Sequence, residues 1–497
     1  MSGGAPADPA AGLGGRMVRG VGWSAAQAWL LRLTTMGAFV LLGRLLEPAD
    51  FGLVALASAF VSVLQAVTEG GFSSFLVQRA TLDRRVTSTA FWTALGVSAV
   101  CAGALVLAAT PLAAVFGEPQ LAPVLVVLAA GLPLVGFGSV QWALLQREMR
   151  FRSLAVCQTV AALCGTAVVL VLALGGAGVW ALVAQNVVTA LVTSALLWRC
   201  SSWRPALLWD RAEAGDMLSF SWKVLAGNLL VQFRDRAEQF IIAAVGGAVL
   251  LGYWTIATRI VQILMELSVS VIQKVMLPAF SVLRADPERL HRLYRRSLTY
   301  TALLVVPVML LAGTTSYAVV PLVFGEHWRP SADVAAVMAL SGIAASMNYY
   351  DRAMYLAHGR PGTDLLVTSL IVPLHVLVVL LTAPHGLVWV AIGTVLRTFA
   401  VWPLRLAVLK RVCGLPWSCY GGIVPLFLAA LPTAGVVELL KHLRPAVFDG
   451  WGFVLLAAVG GTVYAAVVLL ASRDVRHLVA AARDRLRARR RTVAAAP

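Results

Sequence analysis

Four charged side chains interrupt an apolar stretch between residues 218 and 245. The sequence RDRAEQF, residues 234–240, lies between two runs rich in leucine, isoleucine, valine and alanine, and the whole stretch is long enough to cross a membrane as one helix. An ionised side chain at the centre of a bilayer costs about 2.5–3.5 kcal/mol, so such residues face water or protein and mark candidate binding sites. This stretch is therefore the first candidate functional site.

Polar residues recur at helical spacing in this stretch and in other apolar segments. Asn228, Gln232, Asp235 and Gln239 follow one another at steps of four, three and four residues, which places them on one helix face. Exposing all the charges of these segments to lipid would cost more than the ~5–15 kcal/mol that stabilises a typical fold. We therefore expect the polar faces to converge on one hydrated cavity.

The cations of these faces predict an anionic ligand, because a planar guanidinium binds phosphate through two hydrogen bonds and stays charged. The predicted substrate-binding residues are Arg32, Arg234, Arg236, Arg259 and Arg352. The predicted sites of ion or proton coupling are Glu69, Asp235, Glu238 and Glu266. The predicted polar lining is Gln65, Asn228, Gln232, Gln239, Gln262 and Asn348. The alternative is that Arg234–Glu238 and Arg259–Glu266 are internal ion pairs that only fix helix packing.

Three other residues receive no role in this cavity. His375 is interpreted as a packed or locally hydrogen-bonded residue, Arg397 as close enough to a helix end to reach the interface, and Arg405 as part of a cytoplasmic loop. The sequence has no HExxH, GxxxxGK[ST] or GxSxG motif and no aspartate-rich metal motif. We therefore predict no metal, no cofactor and no enzymatic activity.

The composition is that of a polytopic membrane protein. Of 497 residues, 60% are hydrophobic and 13% are charged, whereas roughly a quarter of the residues of a soluble domain are charged. Fourteen apolar segments are close to the ~20 residues that a spanning helix needs, which predicts an all-α fold. Their approximate limits are 21–43, 51–77, 88–115, 121–145, 154–174, 178–198, 218–245, 249–277, 298–323, 332–357, 364–383, 386–404, 418–440 and 451–471.

Arginine and lysine concentrate in alternate loops, a bias that predicts cytoplasmic N- and C-termini in a bacterial inner membrane. The net charge of +17 then reflects membrane topology and not nucleic-acid binding. The basic tail predicts a helix that binds anionic lipids, or else only the basic flank of the last helix. The predicted domains are a disordered N-terminus (1–17), a six-helix bundle (18–198), a cytoplasmic linker (199–217), a second six-helix bundle (218–404), two additional helices (405–471) and the tail (472–497).

A weak internal repeat relates the two predicted bundles at an offset of about 200 residues. FGLVALASAFV (51–61) aligns with LGYWTIATRIV (251–261), which pairs Gly52 with Gly252. The repeat predicts two bundles of parallel topology, as in transporters built from paired bundles. Chance similarity between apolar helices is the alternative.

Four motifs resemble the polysaccharide transporters of the multidrug/oligosaccharidyl-lipid/polysaccharide (MOP) exporter superfamily, in particular the Wzx-type flippases. They are GRLLEPADFGLVALASAF (43–60), GGFSSFLVQR (70–79), LLQREMRFRSLA (144–155) and VMLPAFSVL (275–283), in matching order. The resemblance implies two six-helix bundles around a central cavity, with two added helices. It also implies a substrate, an undecaprenyl-diphosphate-linked oligosaccharide, that crosses the membrane by alternating access during biosynthesis of a surface polysaccharide.

The implied partners, besides the lipid-linked oligosaccharide, are a polymerase and glycosyltransferases of the same pathway. A drug or cation antiporter of the same superfamily is an alternative, but it would need an acidic cavity. A membrane glycosyltransferase or polymerase is a second alternative, although such enzymes usually carry a substantial outside loop and the predicted outside loops are short. A third alternative is a scaffold that transports nothing. The buried charges favour a transporter over this alternative.

Overall fold

The structure of the protein is a computed structural model. The structure describes residue 32 and residues 34–69, 72–79, 82–443, 452–472 and 475–476. All regular structure in these residues is helical, which confirms the predicted all-α fold. The helices are α1 (Thr34–Leu45), α2 (Pro48–Glu69), α3 (Phe72–Gln78), α4 (Arg84–Phe116), α5 (Leu121–Ala129), α6 (Gly131–Arg147), α7 (Phe151–Leu174), α8 (Val179–Cys200), α9 (Arg211–Val282), α10 (Pro287–Phe324), α11 (Arg329–Met347), α12 (Asp351–Ala357), α13 (Pro361–Thr382), α14 (Leu387–Cys413), α15 (Val424–Leu443) and α16 (Phe453–Ala471).

Twelve helical stretches in the described residues are long and apolar enough to cross a membrane, compared with fourteen in the prediction. One difference concerns the first predicted helix. In that region the structure describes α1, which is apolar but shorter than the twelve candidate spans. The other is α9, which contains the seventh and eighth predicted helices as two arms that meet at Gly247. Gly247 has φ 69° and ψ −169°, a conformation that glycine adopts without steric cost.

The chain divides into two compact units. The described residues of the first unit lie within 1–47, 60–114 and 118–226, and those of the second within 48–59, 115–117 and 227–497. Both α2 and α9 therefore contribute residues to both units. The basic tail, predicted to bind anionic lipids, lies outside the described residues except for residues 472, 475 and 476.

In the first unit, part of the predicted linker is docked along the first turns of α4. The indole of Trp203 donates to the hydroxyl of Thr87 (3.0 Å), and the backbone N–H of Ala206 donates to the hydroxyl of Ser88 (3.0 Å). The indole of Trp92 in turn donates to the carbonyl oxygen of Ala206 (2.8 Å). These bonds satisfy polar groups of the segment and hold it against the helix.

A bidentate ion pair joins the end of α3 to the first turn of α9. The two terminal guanidinium nitrogens of Arg79 donate to the two carboxylate oxygens of Glu213, at 2.5 and 3.0 Å. Arg147 of α6 donates to the carbonyl oxygens of Leu76 and Arg79 and so holds the end of α3. The hydrogen bond from Arg79 lowers the pKa of the Glu213 carboxyl group below its usual value.

Replacing Glu213 with glutamine should lower the free energy of unfolding by about 1 kcal/mol near neutral pH. This value is at the upper end of the range that exposed ion pairs contribute to stability. Because folding lowers the pKa of Glu213, its contribution is present above the unfolded pKa of about 4.3 and is lost as the pH falls through the folded pKa. Thermal unfolding in detergent at about pH 7.5 and at about pH 3.5 measures the effect. Glu148→Gln is the control, since the contact of Glu148 with Arg150 (3.5 Å) joins exposed side chains. A Glu213→Gln penalty of equal size at both pH values would contradict this account.

In the second unit, α2 and the second arm of α9 make a close glycine contact. A Cβ atom on Gly52 would lie 1.7 Å from the carbonyl oxygen of Ala248, and a Cβ atom on Gly252 would lie 1.9 Å from the carbonyl oxygen of Pro48. Gly52 therefore faces the carbonyl group of the residue four positions before Gly252. In the same way, Gly252 faces the carbonyl group of the residue four positions before Gly52. Only residues without a side chain let two helix backbones approach so closely. Gly52 and Gly252 are also the pair that the internal repeat aligns.

The core of the second unit also contains buried polar pairs. The hydroxyl groups of Tyr294 in α10 and Tyr420 after α14 are 2.8 Å apart, and both residues are buried. Asp351, the first residue of α12, is 2% exposed and accepts a hydrogen bond from Arg405 of α14 at 3.2 Å. A buried carboxylate is tolerated when it is paired in this way.

Candidate functional site

A cavity of about 740 Å³ lies in the second unit, with lining residues from both arms of α9 and from α11, α13 and α14. Its lining contains four arginines, Arg236, Arg259, Arg397 and Arg405, and one carboxylate, that of Glu238. Among the described lining residues, positive charge thus exceeds negative charge. A cavity of this volume is large enough for a small ligand or for part of a larger one.

The two arms of α9 supply the polar residues of one side of the cavity. Arg236 and Gln239 lie three residues apart on the first arm, and the guanidinium donates to the amide oxygen of Gln239 at 3.3 Å. Arg259 and Gln262 have the same spacing on the second arm, with a distance of 3.5 Å between guanidinium and amide oxygen. This i,i+3 spacing puts each pair on one helix face, so each amide orients a neighbouring arginine.

Glu238 is held by residues from two other helical segments. The indole of Trp254, on the second arm of α9, donates to Oε1 of Glu238 at 2.6 Å, which links the two arms across Gly247. Nε2 of His375, on α13, lies 3.2 Å from Oε2 of Glu238. The side chains of His375 and Glu238 are 8% and 18% exposed, respectively. A carboxylate at this depth requires such partners, because burial without them is costly.

Helix α14 contributes Thr394, Arg397 and Arg405 to the lining of the cavity. Arg397 donates to the hydroxyl of Thr398 at 3.3 Å, and Arg405 is paired with Asp351. Several lining atoms are buried and have no hydrogen-bond partner among the described residues: Nε of Arg236, Nδ1 of His375 and the hydroxyl oxygen of Thr394. Such atoms are costly to leave unsatisfied, so they are suited to bind a polar ligand.

The structure brings five of the predicted site residues together around this cavity: Arg236, Glu238, Gln239, Arg259 and Gln262. Four others belong to the same unit but do not line the cavity: Gln232, Glu266, Asn348 and Arg352. Arg352 is 76% exposed and pairs with Asp364 of α13 at 3.6 Å. The alternative pair Arg259–Glu266 is not formed between these two described side chains, since Arg259 instead contacts Gln262.

Six predicted residues cannot be assigned to this cavity. Arg32 and Gln65 belong to the first unit. The side chains of four others lie outside the described residues, although their backbone is helical: Glu69, Asn228, Arg234 and Asp235. Their roles in substrate binding, coupling and cavity lining stay predictions, as does the alternative ion pair between Arg234 and Glu238.

The structure adds Trp254, His375, Thr394, Arg397 and Arg405 to the candidate site. His375 is buried, as expected for a packed residue, and it also contacts Glu238 of another helix, which was not predicted. Arg405 lies inside α14, because this helix continues to Cys413 and not to residue 404 as predicted. For the same reason Arg397, which was already within the predicted segment, lies farther from the C-terminal end of the helix than expected. The basic residues at the end of the predicted segment were therefore part of the helix.

The residues of the cavity suit an anionic ligand better than a metal ion. In the part of the chain that the structure describes, no three His, Cys, Asp or Glu side chains are grouped so that they could hold a metal ion. Arginines donate several hydrogen bonds and keep their charge, which suits phosphate or carboxylate oxygens. The cavity can therefore bind and orient an anion, while the geometry offers no activated nucleophile.

Comparison with known proteins places the chain among polysaccharide-pathway proteins. Residues 41–333 match a family described as polysaccharide biosynthesis protein. The chain is 29% identical over 329 residues to the succinoglycan biosynthesis transport protein ExoT of Rhizobium meliloti (strain 1021), covering 65% of this chain and 66% of ExoT. It is 22% identical over 351 residues to the lipopolysaccharide biosynthesis protein WzxC of Escherichia coli (strain K12), covering 69% of this chain and 70% of WzxC.

The fold resembles that of a solved lipid transporter. The structure of the lipid II flippase MurJ in an inward closed conformation superimposes with a TM-score of 0.71, covering 91% of this chain and 99% of MurJ. Because the identity is 13%, this likeness shows the fold alone. It confirms the exporter fold that the four sequence motifs predicted.

Proposed function

Because the chain belongs to the polysaccharide biosynthesis protein family, we propose that it is a flippase for a lipid-linked oligosaccharide in the bacterial cytoplasmic membrane. The observation that carries the proposal is the cavity of the second unit, with four arginines and one glutamate among its described lining residues. An undecaprenyl diphosphate sugar has an anionic diphosphate, a polar glycan and an apolar tail. The arginines would bind the diphosphate, while the tail stays in the bilayer.

In this proposal, the protein exposes the cavity to each side of the membrane in turn, with both chain termini in the cytoplasm. The two predicted six-helix bundles would move against each other during this exchange. ExoT is named as a transport protein of succinoglycan biosynthesis and MurJ as a lipid II flippase, which supports transport over catalysis. A polymerase and glycosyltransferases acting on the same glycan are the proposed partners.

The charge of the cavity argues against the two alternative functions. The arginines would repel a cationic drug. Glu238, the one carboxylate among the described lining residues, already contacts Trp254 and His375. A glycosyltransferase or polymerase needs an acid, base or nucleophile that can reach its substrate. Glu238 is 18% exposed and has both oxygens in contact with other residues, so it is poorly placed for that chemistry.

Reconstitution in proteoliposomes tests this proposal. We expect the wild type to move a fluorescent undecaprenyl-diphosphate oligosaccharide between leaflets, measured as the fraction accessible to a membrane-impermeant quencher. Arg236→Gln and Arg397→Gln should each lower the rate at least tenfold, because a charged hydrogen bond contributes about 1.5–3 kcal/mol. Arg352→Gln is the control, since Arg352 is exposed and does not line the cavity. Wild-type rates in both cavity variants would show that this cavity does not bind the substrate during transport.

A further inference from the structure

The contact between Glu238 and His375 fixes where the proton of a neutral imidazole lies. Nε2 of His375 lies 3.2 Å from Oε2 of Glu238. Because a carboxylate oxygen attracts an N–H group and repels a bare nitrogen lone pair, the neutral ring carries its hydrogen on Nε2. Oε1 of Glu238 is already bonded to the indole of Trp254. The carboxylate is thereby held in one orientation, and the imidazole is held with it.

Nδ1 of His375 then has no hydrogen when the ring is neutral. This atom is buried and has no hydrogen-bond partner in the part of the chain that the structure describes, and the residue lines the cavity. A bare nitrogen lone pair repels an anionic oxygen. Once the ring takes up a second proton, Nδ1–H becomes a donor, and an anionic oxygen can accept from it.

The surrounding charges determine when this second proton is favourable. The charged side chains among the described lining residues are Glu238, Arg236 and Arg259 of α9 and Arg397 and Arg405 of α14, and Asp351 pairs with Arg405. On α13, the titratable lining residue is His375 itself, and α11 contributes the uncharged Met338. The carboxylate of Glu238 attracts a cationic ring, whereas the four arginines repel one. An anion bound in the cavity offsets the arginines and supplies the acceptor that Nδ1–H needs.

We propose that the cavity binds an anion and a proton together, and that the imidazole of His375 is the proton's binding site. In this step a hydronium ion in solvent gives one proton to Nδ1: an O–H bond of the hydronium breaks, an N–H bond forms and water is released, while Nε2–H stays beside Oε2 of Glu238. Histidine is suited to this role because it changes charge in the physiological pH range. By linkage, protonation raises anion affinity and anion binding favours protonation by the same factor. The assignment rests on the proposed function only for the identity of the anion.

Isothermal titration calorimetry of the purified full-length protein in detergent tests this inference. The probe is a short-chain prenyl diphospho-sugar, a diphosphate diester whose charge does not change near neutral pH. Titrations in two buffers of different ionisation enthalpy report the protons taken up on binding. We expect net proton uptake on binding, of at most one proton per bound probe. The affinity should fall as pH rises, by as much as about tenfold per pH unit.

Two variants assign the proton to one histidine. His375→Gln should bind the probe without proton uptake and with an affinity independent of pH between about 6 and 8. His385→Gln should behave as the wild type, because His385 is an exposed residue after α13 that does not line the cavity.

The inference is overturned if the wild type binds the probe without taking up protons, if His375→Gln keeps the uptake, or if the probe does not bind. The proteoliposome assay decides the proposed function separately. A protein that binds the probe with proton uptake but does not move lipid between leaflets would contradict the flippase proposal and leave this inference intact.

Discussion

Gly52→Ala and Gly252→Ala are expected to destabilise the protein by about 3 kcal/mol or more each. The added Cβ atoms would lie 1.7 and 1.9 Å from backbone carbonyl oxygens of the facing helix. No rotamer change can relieve a clash with backbone, so α2 and the second arm of α9 must separate. The loss should appear as a lower thermal unfolding temperature in detergent and a smaller monodisperse fraction after extraction.

Gly96→Ala and Gly103→Ala are matched controls for the glycine contact. Both residues lie in α4, and a Cβ atom on either would have nothing within 4 Å. Alanine is favoured over glycine in helices by about 1 kcal/mol, so these variants should be neutral or slightly stabilised. If Gly52→Ala and Gly252→Ala unfold at the same temperature as the controls, the close approach of the two helices is not present in the protein.

Arg405→Ala is expected to cost about 3–5 kcal/mol, because it leaves the carboxylate of Asp351 buried without its cation. Asp351 is 2% exposed, and its Oδ2 atom lies 3.2 Å from Arg405. Thermal unfolding in detergent measures the loss. Adding Asp351→Asn to Arg405→Ala should recover part of it, since the double variant no longer buries an unpaired charge.

Arg352→Ala is the control for this ion pair. Its partner Asp364 lies 3.6 Å away and the Arg352 side chain is 76% exposed, so the pair should contribute at most about 1 kcal/mol. Comparable losses in Arg405→Ala and Arg352→Ala would show that burial does not distinguish the two pairs. Lack of recovery in the double variant would mean that Arg405 stabilises the protein through packing alone.

Sequence periodicity was sufficient to find the arginines and glutamines that α9 contributes to the candidate site, but not Trp254 of the same helix. Arg236, Gln239, Arg259 and Gln262 repeat at helical spacing within apolar segments, and this pattern depends only on the helix that carries it. The all-α fold followed for the same reason, since twenty apolar residues in lipid leave the backbone no option other than a helix or a closed barrel. Family motifs then gave the arrangement of the helices.

The contributions of α13 and α14 depended on information that periodicity does not contain. His375 stands alone on an apolar helix, and its contact with Glu238 depends on how α13 packs beside α9. Arg397 and Arg405 were assigned to a helix end and a loop because charged residues there also match a membrane boundary. In the structure α14 extends to Cys413, so Arg405 is inside the helix and Arg397 is far from its C-terminal end. Helix limits are the least certain part of a sequence prediction when the flank is basic.

The contact of Gly52 with Gly252 has the form of a symmetric subunit interface. Each glycine meets the same element of the opposite helix, the carbonyl group four residues before its counterpart, as in an isologous contact between two identical chains. Because the two glycines are separate positions of one chain, a substitution at one of them breaks this symmetry. A substitution at either position pushes apart the same two helix backbones.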